Sequence, residues 1–195
     1  MDLQPEVSLR RFRELGVQDI DEMLNPYRQL GVFHDLEMGL VGREEFVARL
    51  NEHAGTALTD EQVNEAIMLF LKGVPQYKFD YLEQLRKEYK IYILSNTNPY
   101  IMAYAHSPHF LPATGRTLSD YVDKVYASCE MQTMKPDRAI YEQMIADSGM
   151  VPERTLFIDD STANIEAAAA LGLQTLLAVN ATDWRPALAA RLQCD

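Results

Sequence analysis

Two adjacent carboxylates end an apolar run in the last third of the chain. Asp159 and Asp160 follow Leu156–Ile158, and the polar stretch Ser161–Asn164 comes directly after them. Neighbouring like charges repel each other unless they share a cation, and carboxylate oxygens are ligands that Mg²⁺ prefers. Taken alone, such a dipeptide is better explained as a pair of solvated loop acids. The pattern therefore makes Asp159 and Asp160 candidate metal ligands, and the other motifs of the chain must distinguish this role from that of solvated loop acids.

Two further polar positions have the chemistry to bind an anion. Ser95 and Asn96 follow an apolar run, and Lys135 stands just before Pro136, where a helix is expected to begin. A hydroxyl and backbone N–H groups can hold phosphate oxygens, and a lysine ahead of a helix N-terminus adds positive charge there. Alone, Ser95 is explained as a turn residue and Lys135 as a solvated cation. Together with paired acids, which can hold a metal ion against phosphate charge, they favour phosphoryl chemistry.

Alternating strands and helices must position these groups. The predicted strands are Ile91–Leu94, Lys124–Ser128, Leu156–Asp160 and Thr175–Val179. Helical patterns lie between them, at Pro136–Ser148 and at Ser161–Leu171, where Ser161 is a plausible N-cap. This alternation predicts right-handed βαβ units and a parallel sheet whose central strands are buried on both faces. Ligands bind beyond the carboxyl ends of such strands, which is where the polar residues stand.

The first seventy-odd residues have a different pattern. Residues 5–73 show helical periodicity throughout, with a second helix expected at Asp19–Leu30 and a third at Arg43–His53. Thr59 and Gln62 form a capping box ahead of a fourth helix, and no strand is expected in this part. We therefore predict an all-α module over residues 1–77, followed by an α/β core over residues 78–195.

Composition narrows the functional classes. The 195 residues carry a formal net charge of −11, which argues against nucleic acid or an anionic membrane as the main partner. We expect no signal peptide from the first residues, and the sequence has no apolar run of bilayer-spanning length. Its two cysteines lie far apart and have no metal-ligand spacing, so a reduced, cytoplasmic setting is expected. The net charge does not argue against a small phosphorylated substrate, and the sequence leaves the oligomeric state open.

The three polar motifs together resemble those of the haloacid dehalogenase (HAD) superfamily, and within it the phosphatase-like group with a helical cap inserted early in the chain. The residues that carry the resemblance are Ile91–Asn98 (IYILSNTN), Lys135–Tyr141 (KPDRAIY) and Phe157–Asn164 (FIDDSTAN), with a Glu-x-Gly at Glu37–Gly39. The resemblance implies a Rossmann-like parallel core with an N-terminal all-α cap module. It also implies Mg²⁺ as cofactor and a small phosphometabolite, such as a sugar phosphate, as substrate.

The resemblance implies a role for each motif residue. Ser95 is expected to bind the transferred phosphoryl oxygens, assisted by the backbone of Asn96. Lys135 is expected to neutralise developing charge and to orient the nucleophile. Asp160 is expected to ligate Mg²⁺ directly, and Asp159 directly or through water.

The family's first motif, an apolar strand that ends in Asp-x-x-x-[Thr/Val], supplies an aspartate nucleophile. Residues 1–6 do not fit that pattern, so we expect the nucleophilic aspartate to lie upstream of Met1, on a central strand between those ending at Leu94 and Ile158. The preferred hypothesis is a Mg²⁺-dependent phosphatase that forms an aspartyl-phosphate. The alternatives are a catalytically inactive binding or scaffold protein with this fold, and a 2-haloacid dehalogenase, which needs no metal.

Overall fold

The computed structural model describes residues 2–24, 30–112, 114–178 and 182–192. The helices are α1 (Pro5–Glu14), α2 (Ile20–Met23), α3 (Gly31–Glu37), α4 (Arg43–Ala54), α5 (Asp60–Met68), α6 (Gln76–Leu85), α7 (Pro99–Ala105), α8 (Ser128–Met131), α9 (Arg138–Ser148), α10 (Thr162–Ala169) and α11 (Arg185–Leu192). The strands are β1 (Asp2–Leu3), β2 (Leu71–Gly73), β3 (Tyr92–Ser95), β4 (Lys124–Ala127), β5 (Leu156–Asp159) and β6 (Gln174–Leu177). Short 3₁₀ turns lie at Leu118–Asp120 and Pro152–Arg154. In these residues no helix is long and apolar enough to cross a bilayer.

The strands of the described residues form two-stranded sheets. β3 pairs with β4 and β5 with β6, both in parallel, and β1 pairs with β2 in antiparallel fashion. Ser95 lies opposite Ala127, and Asp159 lies opposite Leu177. The predicted mixed α/β class with parallel strands is confirmed. The polar residues that ended the predicted strands indeed lie at the carboxyl ends of β3 and β5.

The chain divides into two compact units, Met1–Gln132 and Thr133–Asp195. The first contains α1–α8 and β1–β4, and the second contains α9–α11, β5 and β6. The division into a helical module over residues 1–77 and a core over residues 78–195 concerns a different boundary and stays a prediction.

The helical segments of the first unit share an aromatic core. Phe12 and Phe33 meet edge to face with ring centroids 5.7 Å apart, and Phe33 meets Phe46 at 4.9 Å. Phe46 in turn contacts Tyr100 of α7 at 6.2 Å, and all four side chains are almost fully buried. Edge-to-face aromatic pairs stabilise a core beyond their buried area. The helix that follows β3 is therefore built into the core of the helical segments.

The predicted helix boundaries are partly right. The capping box of Thr59 and Gln62 is present, and α4 ends at Gly55 in the left-handed conformation. The helix expected at Asp19–Leu30 is wrong, since α2 ends at Met23 and Leu24 is extended; Pro26 lies outside the described residues.

The expectation of no strand in the first seventy-odd residues is also wrong. β1 and β2 run side by side at the two ends of the helical segments, and the Gln4 N–H donates to the Phe70 carbonyl at 2.9 Å. Both strands are only two or three residues long, so neither has a periodicity that a sequence pattern can reveal.

Candidate active site

The carboxyl end of β5 holds a buried ion pair. The Lys135 ammonium donates to Oδ2 of Asp159 at 2.7 Å, and the two side chains are only 11% and 7% exposed. Asp159 is the last residue of β5, and Lys135 lies three residues before α9. Burial of one charge without the other would be costly, so each residue fixes its partner. The structure thus brings the motif that begins at Lys135 into contact with the motif that contains Asp159.

The other oxygen of Asp159 is also occupied. Its Oδ1 accepts from the backbone N–H of Ser161 at 2.9 Å and from the side-chain amide of Asn164 at 2.8 Å. Ser161 does occupy the N-cap position of α10, but its hydroxyl makes no capping bond. The predicted N-cap position of Ser161 is confirmed, and the residue holds Asp159 through its backbone N–H.

Asp160 has the opposite environment. Its side chain is exposed, and within the described residues it takes part in no hydrogen bond or ion pair. The carboxylate is therefore open to a cation. The described part of the chain contains no group of three or more His, Cys, Asp or Glu side chains arranged around a metal position. A Mg²⁺ ion needs only one or two protein carboxylates because it keeps several of its waters. The donor set fits Asp160 as a direct ligand and Asp159, whose oxygens are engaged, as a ligand through water.

Tyr141 of α9 contacts both β5 and α10. Its hydroxyl donates to the Asn164 carbonyl at 3.1 Å, and its fully buried ring meets Phe157 edge to face at 5.5 Å. Burial, together with the charge of Asp159, raises the pKa of Tyr141 above its ordinary value. The phenol therefore stays protonated and keeps its role as a donor.

In the first unit, the loop after β3 is held by buried hydrogen bonds. The Thr97 N–H donates to Ser128 Oγ at 2.9 Å, and the Ser128 hydroxyl donates back to the Thr97 carbonyl at 3.1 Å. The Ser95 hydroxyl makes a longer bond, 3.3 Å, to the carbonyl of Asn96. Thr97 Oγ1 is buried, with no hydrogen-bond partner in the described residues. Ser128, directly after β4, thus fixes the loop that carries Ser95 and Asn96.

The same loop is tied to the helical segments. Asn98 caps α7 by accepting from the N–H groups of Tyr100 and Ile101. The buried Tyr100 hydroxyl donates to Asp60 at 2.8 Å, and Asp60 is paired with Arg43, whose guanidinium lies 4.1 Å from the Tyr100 ring centre. The hydrogen bond from Arg43 lowers the pKa of Asp60. The network keeps Asp60 ionised between α4, α5 and α7.

The Glu-x-Gly of the helical segments lies against the residues that follow β4. Gly39 has a φ of +65°, and a Cβ there would overlap the carbonyl oxygen of Cys129. Only glycine allows this approach. Glu37, at the end of α3, has no hydrogen bond or ion pair within the described residues, and burial raises its pKa to about 7. Burial also raises the pKa of the Cys129 thiol to about 11, with smaller contributions from Glu130 and Glu37.

A comparison with protein families decides the classification. A model of the haloacid dehalogenase-like hydrolases matches residues 7–172 of the chain. The chain belongs to the haloacid dehalogenase-like hydrolase family. The resemblance inferred from the three motifs is confirmed at this level.

Relatives with known names or structures agree with this assignment. A D-ribitol-5-phosphate phosphatase of Bacteroides thetaiotaomicron is 39% identical over 188 residues, which are 96% of this chain and 91% of the relative. A protein from Porphyromonas gingivalis, described as a predicted HAD-like family hydrolase, superposes with a TM-score of 0.93 at 48% identity, covering 99% of this chain and 92% of that one. A HAD family enzyme from B. thetaiotaomicron superposes with a TM-score of 0.90 at 33% identity, covering 96% and 92%. That structure is an aspartate-to-alanine mutant in complex with magnesium and inorganic phosphate.

Sequence reasoning missed two residues that hold candidate site residues in place, one in each compact unit. Asn164 follows Asp159 by five positions on the first turn of α10, and Ser128 follows β4 as Ser95 ends β3. A polar residue at the end of the neighbouring parallel strand was a usable signal for Ser128. Asn164 gave a weaker signal, because its contact depends on how α10 is rotated. The catalytic and metal-binding roles of the other residues stay predictions.

Proposed function

We propose that this HAD-like hydrolase is a Mg²⁺-dependent phosphatase of a small phosphometabolite such as a sugar or polyol phosphate. The observation that carries the proposal is the end of β5, where the buried Lys135–Asp159 pair adjoins the exposed Asp160. It is supported by the 39% identical relative, a D-ribitol-5-phosphate phosphatase, and by the 33% identical enzyme crystallised with magnesium and inorganic phosphate.

In this proposal each residue of the site has its own chemical role. Lys135, held in place by Asp159, neutralises negative charge that develops on the transferred phosphoryl group. The Ser95 hydroxyl and the Asn96 backbone bind phosphoryl oxygens. Asp160 holds the metal directly, and Asp159 contributes through a water molecule. The metal ion, when bound, offsets the charge of the phosphate so that an anionic nucleophile can approach it.

The nucleophile in the proposal is an aspartate on a strand that precedes the described residues. Its carboxylate oxygen attacks phosphorus while the ester P–O bond breaks, and the leaving alkoxide takes a proton from water to give the alcohol. Water then hydrolyses the aspartyl-phosphate, which releases inorganic phosphate and restores the carboxylate. Asp2 does not fit this role, because β1 pairs antiparallel with β2 and does not belong to a parallel pair.

Strand pairing and burial support such an additional strand. In the described residues, β3 pairs only with β4 and β5 only with β6, so each has one edge without a partner strand. Every side chain of β3 stays partly exposed, and so do three of the four in β5, with Phe157 the buried exception. The expectation that these strands are fully buried is therefore wrong for the described chain. A further central strand would supply the missing burial and pairing.

The proposal also retains the helical module over residues 1–77 as a cap that contributes to substrate choice, with residues 78–195 as the core. The aromatic cluster joins α1, α3 and α4 within these residues, and it also includes Tyr100 of α7 from residues 78–195. Glu37, whose carboxylate has no partner in the described residues, is the module's clearest candidate for a substrate contact.

The test is hydrolysis by the purified full-length protein. Inorganic phosphate release is measured with D-ribitol 5-phosphate, sugar phosphates and p-nitrophenyl phosphate, each in Mg²⁺ and in EDTA, and chloride release is measured with 2-chloropropionate. We expect phosphate release that EDTA abolishes, and no chloride release. Chloride release that is indifferent to EDTA would assign the chain to the dehalogenase branch. Failure with every substrate would favour a binding or scaffold role.

A further inference from the structure

Asp159 accepts a short hydrogen bond from Lys135 and so helps to set its position. Its side chain is 7% exposed, and its Oδ2 accepts the Lys135 ammonium at 2.7 Å. A carboxylate group can rotate about its bond to Cβ, and rotation would carry Oδ2 away from the ammonium. The position of the Lys135 ammonium therefore depends in part on the orientation of this carboxylate.

Two donors fix that orientation through the other oxygen. The N–H of Ser161 is a backbone group and is present whatever the side chain there. The amide of Asn164, 2.8 Å from Oδ1, is the side-chain donor that orients this oxygen among the described residues. Two donors that converge from different directions define the plane of the carboxylate, whereas one donor permits rotation about its hydrogen bond.

The backbone of Asn164 is itself anchored, because its main-chain carbonyl accepts from the Tyr141 hydroxyl at 3.1 Å. Tyr141 is fully buried and belongs to α9, the helix that Lys135 precedes. The contacts thus form a closed circuit that runs from Lys135 through α9 to Tyr141, then to Asn164, Asp159 and back to Lys135. Asn164 is the residue of α10 that takes part in these contacts, through its backbone carbonyl to Tyr141 and through its side-chain amide to Asp159.

We propose that Asn164 is a positioning residue for phosphoryl transfer: its amide sets the Asp159 carboxylate so that the free oxygen holds Lys135 against the transferred group. The inference rests on the proposed phosphatase function, which gives Lys135 its catalytic role. Partners one step removed from the reacting groups typically contribute roughly 10–100-fold to activity. Because Asn164 acts on a group that stabilises developing charge, its loss should appear in kcat.

The kinetic test uses the full-length enzyme with a phosphate ester that the wild type hydrolyses. Asn164→Asp keeps the shape of the side chain but replaces the donor by an acceptor, and Asn164→Ala removes the group. We expect both to lower kcat by roughly 10–100-fold, with KM within about threefold of the wild type. Ala163→Asp is the matched control, since it adds the same charge at the preceding, exposed position of α10 and should leave kcat within about twofold.

A double-mutant cycle separates positioning from a general structural effect. In a chain that carries Asp159→Asn, the further change Asn164→Ala should cost less than about threefold in kcat, because the group on which Asn164 acts is already altered. Losses that add fully, or a kcat of Asn164→Ala within about twofold of the wild type, would overturn the proposal.

A crystal structure of the Asn164→Ala variant supplies a readout that needs no activity. We expect the Asp159 carboxylate to rotate and the distance from Oδ2 to the Lys135 ammonium to exceed about 3.5 Å. An unchanged carboxylate with the ammonium still at 2.7 Å would overturn the positioning role. A wild type that hydrolyses no phosphate ester would instead overturn the proposed function, and the crystal structure would still decide the positioning claim.

Discussion

Alanine substitutions at Asp159, the last residue of β5, and at Asp160, which follows it, should differ strongly in their effect on stability. Asp159→Ala removes the carboxylate that the Lys135 ammonium contacts at 2.7 Å, and it leaves the Ser161 N–H and the Asn164 amide without this acceptor. Removal of one partner of a buried ion pair costs about 3–5 kcal/mol in free energy of unfolding. Asp160→Ala removes an exposed carboxylate with no hydrogen bond or ion pair in the described residues, so it should stay within about 0.5 kcal/mol of the wild type.

Thermal unfolding followed by circular dichroism, without metal or substrate, measures this difference. For a protein of 150–250 residues, 1 kcal/mol lowers the melting temperature by roughly 2–4 °C, so Asp159→Ala should lose roughly 6–20 °C. Asp160→Ala should lose no more than about 2 °C. Both variants should lose activity, so stability alone separates the two roles. Equal melting temperatures for the two variants would refute the reasoning that the Lys135–Asp159 pair is buried and that Asp160 is free.

Three further predictions concern the first unit. Burial raises the pKa of Glu37 from 4.5 to about 7, so the folded state holds a proton that the unfolded state releases, and stability should fall as the pH rises from about 4.5 to 7. Glu37→Gln should remove that fall. In urea unfolding, the free energy of unfolding of the variant minus that of the wild type should therefore be larger at pH 8 than at pH 5. An equal difference at both pH values would contradict the assignment. Gly39→Ala should lower the free energy of unfolding by more than Gly55→Ala, since both glycines have a φ of +65° but only Gly39 is in close contact with a carbonyl oxygen; equal losses would contradict it. Ser128→Ala should cost about 1–3 kcal/mol in the same assay because it leaves the buried N–H of Thr97 unpaired, and a loss below about 0.5 kcal/mol would show that the pairing is replaceable.

The sequence predicted the features that local patterns determine. Apolar runs such as Ile91–Leu94 and Leu156–Ile158 became parallel strands, because a run of strand-forming residues followed by a polar stop has few other solutions. The capping box at Thr59 was recognisable because both of its partners lie within one turn. The candidate residues Lys135 and Asp159 were found because they stand at element ends, where side chains of a parallel sheet converge.

Features that depend on packing could not be predicted in this way. The contact of Asn164 with Asp159 depends on the rotation of α10 about its axis, which an Ala-rich helix leaves open. The approach of Gly39 to Cys129 joins residues ninety positions apart, and no sequence periodicity predicts such a contact. The burial of Glu37 likewise depends on packing. The partial exposure of β3 depends on which strands are available to pair with it. These are properties of the folded chain and not of its segments.

The most direct test of the account is the Mg²⁺ dependence of phosphate release by the full-length wild type and by its Asp160→Asn variant. Phosphate is measured against Mg²⁺ concentration, with D-ribitol 5-phosphate or the best substrate of the panel. The account predicts saturable stimulation of the wild type and an almost complete loss in the variant, whose melting temperature stays near that of the wild type. Near-normal, Mg²⁺-stimulated hydrolysis by Asp160→Asn would contradict the assignment of this carboxylate as the direct metal ligand.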